Sequence, residues 1–70
     1  MTFYIKAPLS GEVVSLRGKL EKVEGRTNAT EVKKADAEYL REQAQGGWRN
    51  LNWEIEELPS GKYIVKARQA

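Results

Sequence analysis

The sequence predicts a small α+β fold in two layers, with one helix packed on one face of a mainly antiparallel four-stranded sheet. Alternating apolar runs broken by turn residues lie at both ends of the chain, and such alternation is typical of half-buried strands. A charged, alanine-bearing segment of helical composition separates them. The element order is therefore ββαββ, and 70 residues leave room for one domain, residues 1–70.

The two terminal hairpins resemble each other in sequence. Residues 2–7 and Val13 to Arg17 make the first, and residues 50–58 and 63–68 make the second. A turn containing Pro, Ser and Gly joins the strands of each hairpin. The sheet is therefore expected to combine the two ends of the chain. The strand order stays open, because the second and third strands could be parallel neighbours or could be separated by the outer strands.

The segment between the hairpins is predicted to carry the helix. Gly18 interrupts the second strand, and residues 19–24 continue it past a bulge or form a short extra strand. The helix is predicted over residues 29–45, and the glycine pair at 46–47 is expected to end it through a left-handed glycine. Its N-cap is predicted among Asn28, Thr27 and Thr30.

The helix is expected to cover the sheet with a light, alanine-rich side. That side comprises Ala29, Val32, Ala35, Tyr39, Leu40 and Ala44, with Asp36 at a similar angle. The solvent side comprises Glu31, Lys34, Glu38, Arg41, Glu42 and Gln45. The facing sheet residues are predicted to be Phe3, Ile5, Val13 or Val14, Leu51, Trp53, Ile55, Tyr63 and Val65.

The composition argues against an enzyme. The chain has no Cys, which excludes disulfides, thiolate metal sites and cysteine nucleophiles. It has no His, which removes the commonest metal ligand and the usual general base near neutral pH. We therefore expect no enzymatic activity, no catalytic residue, no metal site and no cofactor.

Charge and hydropathy favour a cytoplasmic protein without a membrane partner. The 12 basic and 10 acidic residues are mixed along the chain, so the net charge of +2 reflects a small excess. The chain enters a strand pattern at once, without the pattern of a signal peptide. No apolar run approaches the ~20 residues of a membrane span.

The Trp48-Arg49 pair is the first candidate for a protein contact. It follows the two glycines, where the chain is expected at the surface, and Trp and Arg are enriched at interface hot spots. Ile64 joins the pair as an apolar residue predicted on the outer face of the last strand, where a partner or a second copy would cover it. The alternative for Trp48 is a packing role under the end of the helix.

A basic sheet face is the second candidate surface. Its predicted members are Lys6, Lys62, Lys66 and Arg68, with Tyr4 as the aromatic residue on the same outward face. Exposed cations beside an aromatic residue are used to hold phosphates and stack bases. Glu54 and Glu56 lie across the hairpin, however, and cross-strand charge pairs are ordinary sheet stabilisation.

The expected function is that of a non-enzymatic interaction module. It would dock on a larger protein or associate with a second copy, because the sheet has edge strands that can pair with another chain. The alternative is a nucleic-acid-binding protein that uses the basic sheet face.

Overall fold

The computed structural model describes residues 2–11, 13–15 and 17–69 and confirms the α+β fold. Within these residues, a four-stranded antiparallel sheet carries one α-helix, and a two-stranded sheet lies apart from it. The elements in chain order are β1 (Thr2–Lys6), β2 (Leu9–Ser10), β3 (Val13–Val14), β4 (Glu21–Glu24), a short 3₁₀ helix (Arg26–Asn28), α1 (Lys34–Gly47), β5 (Leu51–Glu57) and β6 (Tyr63–Gln69).

The large sheet has its two terminal strands at its centre. Its order is β4-β1-β6-β5, and each neighbouring pair is antiparallel. The strand order that the sequence left open is thereby resolved: α1 connects the two edge strands, and they are not parallel neighbours. Among the described residues, β4 and β5 are the edge strands of this sheet.

The second predicted hairpin is present as expected. β5 pairs with β6 along seven positions, from Leu51 opposite Gln69 to Glu57 opposite Tyr63. The turn is closed by a hydrogen bond from the backbone N–H of Leu58 to the Lys62 carbonyl, at 2.8 Å. The alternating apolar pattern and the Pro-Ser-Gly turn were therefore sufficient signals here.

The prediction of the first hairpin is wrong, because the strand that follows the turn does not pair with β1. β3 pairs with β2 in the separate two-stranded sheet, and β4 is the strand that pairs with β1. β1 stops at Lys6 because both backbone groups of Ala7 are hydrogen-bonded to the Thr30 hydroxyl and Pro8 has no N–H. Leu16, which falls within the strand predicted to follow the turn, lies outside the described residues.

The helix starts five residues later than predicted, because residues 29–33 are held in an extended path. The Thr30 N–H donates to the Ile5 carbonyl at 3.1 Å, and Val32 exchanges two backbone hydrogen bonds with Tyr63 at 2.9 and 2.8 Å. The segment thus lies between the ends of β1 and β6. Lys33 is the N-cap and makes no side-chain capping bond. Pairing with two strands has outweighed the capping signal in the sequence.

The end of the helix also differs from the prediction. α1 runs through both glycines to Gly47, and the Trp48 N–H still donates to the Ala44 carbonyl at 2.8 Å. Among the described residues, the glycines with positive φ are Gly11, Gly25 and Gly61, which lie outside α1.

α1 covers one face of the sheet with small side chains. Its buried residues are Ala37, Leu40 and Ala44, spaced three and four apart. Ala35 and Tyr39 were predicted on this side, but both are exposed, and Tyr39 retains 46% of its accessible surface. The helix begins at Lys34, so the residues that pack on the sheet differ from those predicted for a helix over residues 29–45.

The opposite face of the sheet is partly covered as well. Tyr4 and Ile64 were predicted to point outward into solvent, yet they retain 9% and 1% of their accessible surface. The 3₁₀ helix lies against β1, and its Arg26 forms an ion pair with Glu56 on that face. The connection after β4 therefore buries the outer side of the two central strands.

Candidate functional site

Trp48 is half-buried and packs on the core. Its ring lies 5.8 Å from the ring of Trp53, with 50° between the two planes. The Trp53 Nε1–H donates to the Trp48 carbonyl at 3.1 Å. The packing role that the sequence left open for Trp48 therefore accounts for one side of its ring.

The other side of Trp48 borders a cleft of about 430 Å³. Among the described residues, the charged ones that line it are Arg17 and Lys19, both basic. Arg49 follows Trp48 in the chain and is exposed. The remaining lining residues are Gly18, Leu20, Gln43 and Gly47.

Ile64 is a core residue and presents no exposed apolar surface. It retains 1% of its accessible surface. The prediction that Ile64 is exposed on the outer face of the last strand is therefore wrong. No residue pattern in the sequence indicates that the connection after β4 crosses this face.

Lys66 lies among carboxylates on the sheet face opposite α1. Its Nζ atom is 2.8 Å from a Glu56 oxygen and 3.5 Å from a Glu54 oxygen. Arg26 also pairs with Glu56, whose side chain is 17% exposed. The cross-strand ion pairs predicted for Lys66 are confirmed, and its charge is locally compensated.

The other three predicted cations are in mixed surroundings. Lys6 is exposed and opposite Glu21 in β4, and Arg68 is exposed between Thr2 and Asn52. Lys62 is exposed and lines a groove that contains residues of both charges. Acidic residues are therefore interspersed among the cations of the predicted basic face.

That groove lies between the small β2–β3 hairpin and the start of α1. It encloses about 250 Å³, and its apolar lining residues are Leu9, Val14 and Val32. Its charged lining residues within the described ranges are Glu31, Lys33, Asp36 and Lys62, two of each sign. Leu9 retains 54% of its accessible surface, and Val13 on the other face of the hairpin retains 68%. The hairpin thus presents apolar side chains to solvent.

Leu9 and Val13 were not among the predicted site residues. Leu9 was read as part of a turn and Val13 as a candidate for the core. The available signal was the short stretch from Pro8 to Gly11. Such a stretch suits a short, separate hairpin as well as the turn of a longer hairpin.

The outer edge of β5 shows a regular alternation. In an antiparallel pair, every second residue directs its N–H and C=O toward the partner strand and the residues between direct theirs away. Leu58 bonds across the turn to Lys62, whereas both backbone groups of Trp53 bond to side chains of α1. The odd-numbered residues of β5 therefore direct their backbone groups away from β6.

The first half of this outer edge is occupied. The Leu51 N–H donates to the Trp48 carbonyl at 3.3 Å, and the Gln45 side-chain amide donates to the Leu51 carbonyl at 3.0 Å. The Trp53 N–H donates to the Gln45 Oε1 atom at 3.3 Å, and the Arg41 Nε–H donates to the Trp53 carbonyl at 3.2 Å. Arg41 and Gln45 were both predicted on the solvent side of the helix: Arg41 is exposed, as predicted, whereas Gln45 is half-buried, and both side chains reach β5. The small alanines of α1 bring the helix close enough for its flanking polar side chains to reach the strand.

The second half of the edge is open. By the same alternation, Ile55 and Glu57 direct their N–H and C=O groups away from β6. Within the part of the chain that the structure describes, no group outside β5 and β6 hydrogen-bonds to these four backbone atoms. Arg41 and Gln45 act one turn of the helix apart, and their bonds end at Trp53.

In residues 2–11, 13–15 and 17–69 there is no group of three or more His, Cys, Asp or Glu side chains placed to hold a metal ion. No helix in the same residues has the length and apolar character needed to cross a membrane. Comparisons of the chain with protein-family models, curated proteins and solved structures find no match.

Proposed function

We propose that this chain is a non-enzymatic interaction module that docks on a larger protein in the cytoplasm. The observation that carries the proposal is the exposure of Leu9 and Val13, at 54% and 68%, on a hairpin beside an apolar-floored groove. An apolar side chain of the partner in the groove would remove both its own surface and that of Leu9 from water.

The charge around the groove favours a protein as the ligand. Of the residues that the structure describes, two acidic and two basic ones line it, and together these offer no net attraction for a polyanion. Side chains of both signs suit the polar rim of a protein interface around a central apolar contact. We therefore take the partner to present one aliphatic side chain flanked by polar or charged residues.

A second candidate function is nucleic-acid binding, and the observation that favours it is the cleft beside Trp48. Its described lining residues include Arg17 and Lys19 and no acidic residue, and Trp48 provides an aromatic surface. Bases stack on such rings while cations neutralise the phosphates. This cleft is a better candidate than the predicted basic face, because Lys66 there is shared by Glu54 and Glu56.

The proposal is tested by photo-crosslinking in the cells that make the protein. A photoreactive amino acid replaces Val13, and the matched control carries it at the exposed helix position Glu38. We expect a discrete protein adduct from position 13, none from position 38, and loss of the adduct when Leu9→Asp is added. The Leu9→Asp change is expected to preserve the fold, because Leu9 is more than half exposed.

Three results would contradict the proposal. One is equal crosslinking from both positions, and another is an adduct that nuclease digests. The third is an adduct consisting of two copies of this chain, which would indicate a homodimer in place of a larger partner.

A further inference from the structure

We propose that the open half of β5 is a second protein-binding surface, which accepts an extended segment of another protein as an added strand. This goes beyond docking at the hairpin groove, because it uses a different edge of the molecule and a different kind of contact. Backbone hydrogen bonds supply the affinity in strand addition, and alternate side chains supply the selectivity.

The geometry defines a short and complete docking unit. Ile55 and Glu57 present two N–H and two C=O groups, which are enough for four hydrogen bonds to one added strand. The stretch spans roughly 10 Å, since a strand rises about 3.3 Å per residue. It is bounded on one side by Trp53, whose backbone groups are occupied, and on the other by Pro59, which has no N–H.

Pairing with a second copy of the same strand is disfavoured by charge. A two-fold pairing through Ile55 and Glu57 would place each Glu56 directly opposite its own copy. It would also bring Glu54 and Glu57 of both copies into a span of a few residues. Like charges directly opposite each other destabilise a sheet. The occupant is therefore a segment from a different protein.

The strand already paired with β5 indicates which side chains suit it. β6 places Lys66 opposite Glu54, Val65 opposite Ile55 and Ile64 opposite Glu56. The Lys66 ammonium group pairs with both glutamates, so one cation of β6 serves both carboxylates. Glu54 and Glu56 lie on one face of β5, and Ile55 lies half-buried on the other. A partner strand on the outer side would complement both faces by alternating basic and apolar residues.

The test uses a seven-residue synthetic peptide of alternating Lys and Val, titrated into the full chain labelled with nitrogen-15. We expect saturable shifts of the Ile55 and Glu57 amide signals and slower hydrogen exchange at both. Two control peptides separate the contribution of charge from that of backbone hydrogen bonds. Alternating Glu and Val reverses the charge, and a central Pro removes a backbone donor while nearly preserving the charge. Neither is expected to bind.

A matched pair of protein variants isolates the backbone contact. Glu57→Ala keeps the outward N–H, whereas Glu57→Pro removes it, and both remove the same carboxylate. We expect Glu57→Pro to bind the Lys-Val peptide about tenfold more weakly than Glu57→Ala, as for the loss of one backbone hydrogen bond.

Several results would overturn the inference. Equal binding by the two variants, or binding of the peptide with the central Pro, would mean that charge attraction alone holds the peptide. Shifts centred elsewhere would place the contact on another surface. A dimer detected by light scattering, with hydrogen exchange slowed at β5, would mean that the strand added to β5 comes from a second copy of this chain. None of these results bears on crosslinking from Val13, so failure here and failure of the groove proposal are distinguishable.

Discussion

The two halves of β5 differ in what occupies their outer edge. From Leu51 to Trp53, two side chains of α1 and the Trp48 carbonyl take every outward backbone group. From Ile55 to Glu57, the corresponding groups form no hydrogen bond to any described residue outside the hairpin. One strand is thus closed to further pairing in one half and available for it in the other.

This difference shows that edge protection acts residue by residue. An exposed edge can pair with other chains, and proteins commonly restrict it with short or charged strands. The opposite edge of this sheet is β4, which has four residues, three of them charged. β5 is longer, and α1 protects only the part that Arg41 and Gln45 reach.

The largest effect is expected from proline at two neighbouring positions of β5. Glu56→Pro removes an N–H that faces β6 and a carboxylate that pairs with Arg26 and Lys66. We expect it to lower the free energy of unfolding by about 3 kcal/mol. Glu57→Pro removes an outward N–H and should stay within about 0.5 kcal/mol of wild type. Urea denaturation of both variants measures the difference.

Equal destabilisation by the two prolines would mean that Glu57 is bonded to β6. The assignment of open and closed positions along β5 would then be wrong by one residue.

A smaller effect is expected where the closed half is opened. Gln45→Ala removes the two hydrogen bonds to Leu51 and Trp53 and should cost about 1–2 kcal/mol. Gln43→Ala changes the same residue type at an exposed position of α1 and should change stability by less than about 0.5 kcal/mol. Thermal or urea unfolding compares the two. If they are equally stable, Gln45 does not protect the edge.

The smallest effect is expected from the ion pairs beside the open half. Lys66→Met leaves Glu56 with Arg26 alone and should cost about 0.5–1 kcal/mol, less at high salt because the pairs are screened. Arg68→Met is the control, since Arg68 is exposed and forms no ion pair among the described residues. A loss for Lys66→Met that is unchanged in 1 M salt would contradict an electrostatic role.

The fold was predictable where local signals and tertiary contacts agree. The β5–β6 hairpin followed from alternation and its turn, and the single helix followed from composition. The pairing of β1 with β4 could not be predicted in this way, because the separate β2–β3 hairpin lies between these two strands along the chain. A residue pattern within one segment carries no information about such a contact.

The candidate sites were less predictable than the fold. Trp48 and Arg49 were singled out from residue type and position, and a cleft does border Trp48. The exposure of Ile64 was wrong, because burial depends on the path of the connection after β4. The open half of β5 depends on how far Arg41 and Gln45 reach, which follows from the close approach of α1 and is invisible in the sequence.

Amide hydrogen exchange along β5 tests the central claim most directly. After correction for intrinsic rates, we expect the Leu51 and Trp53 amides to exchange at least about tenfold more slowly than those of Ile55 and Glu57. Asn52, Glu54 and Glu56, which face β6, should be protected throughout. Equal protection of Ile55 and Trp53 would contradict the account, because the outer edge would then be closed along its whole length.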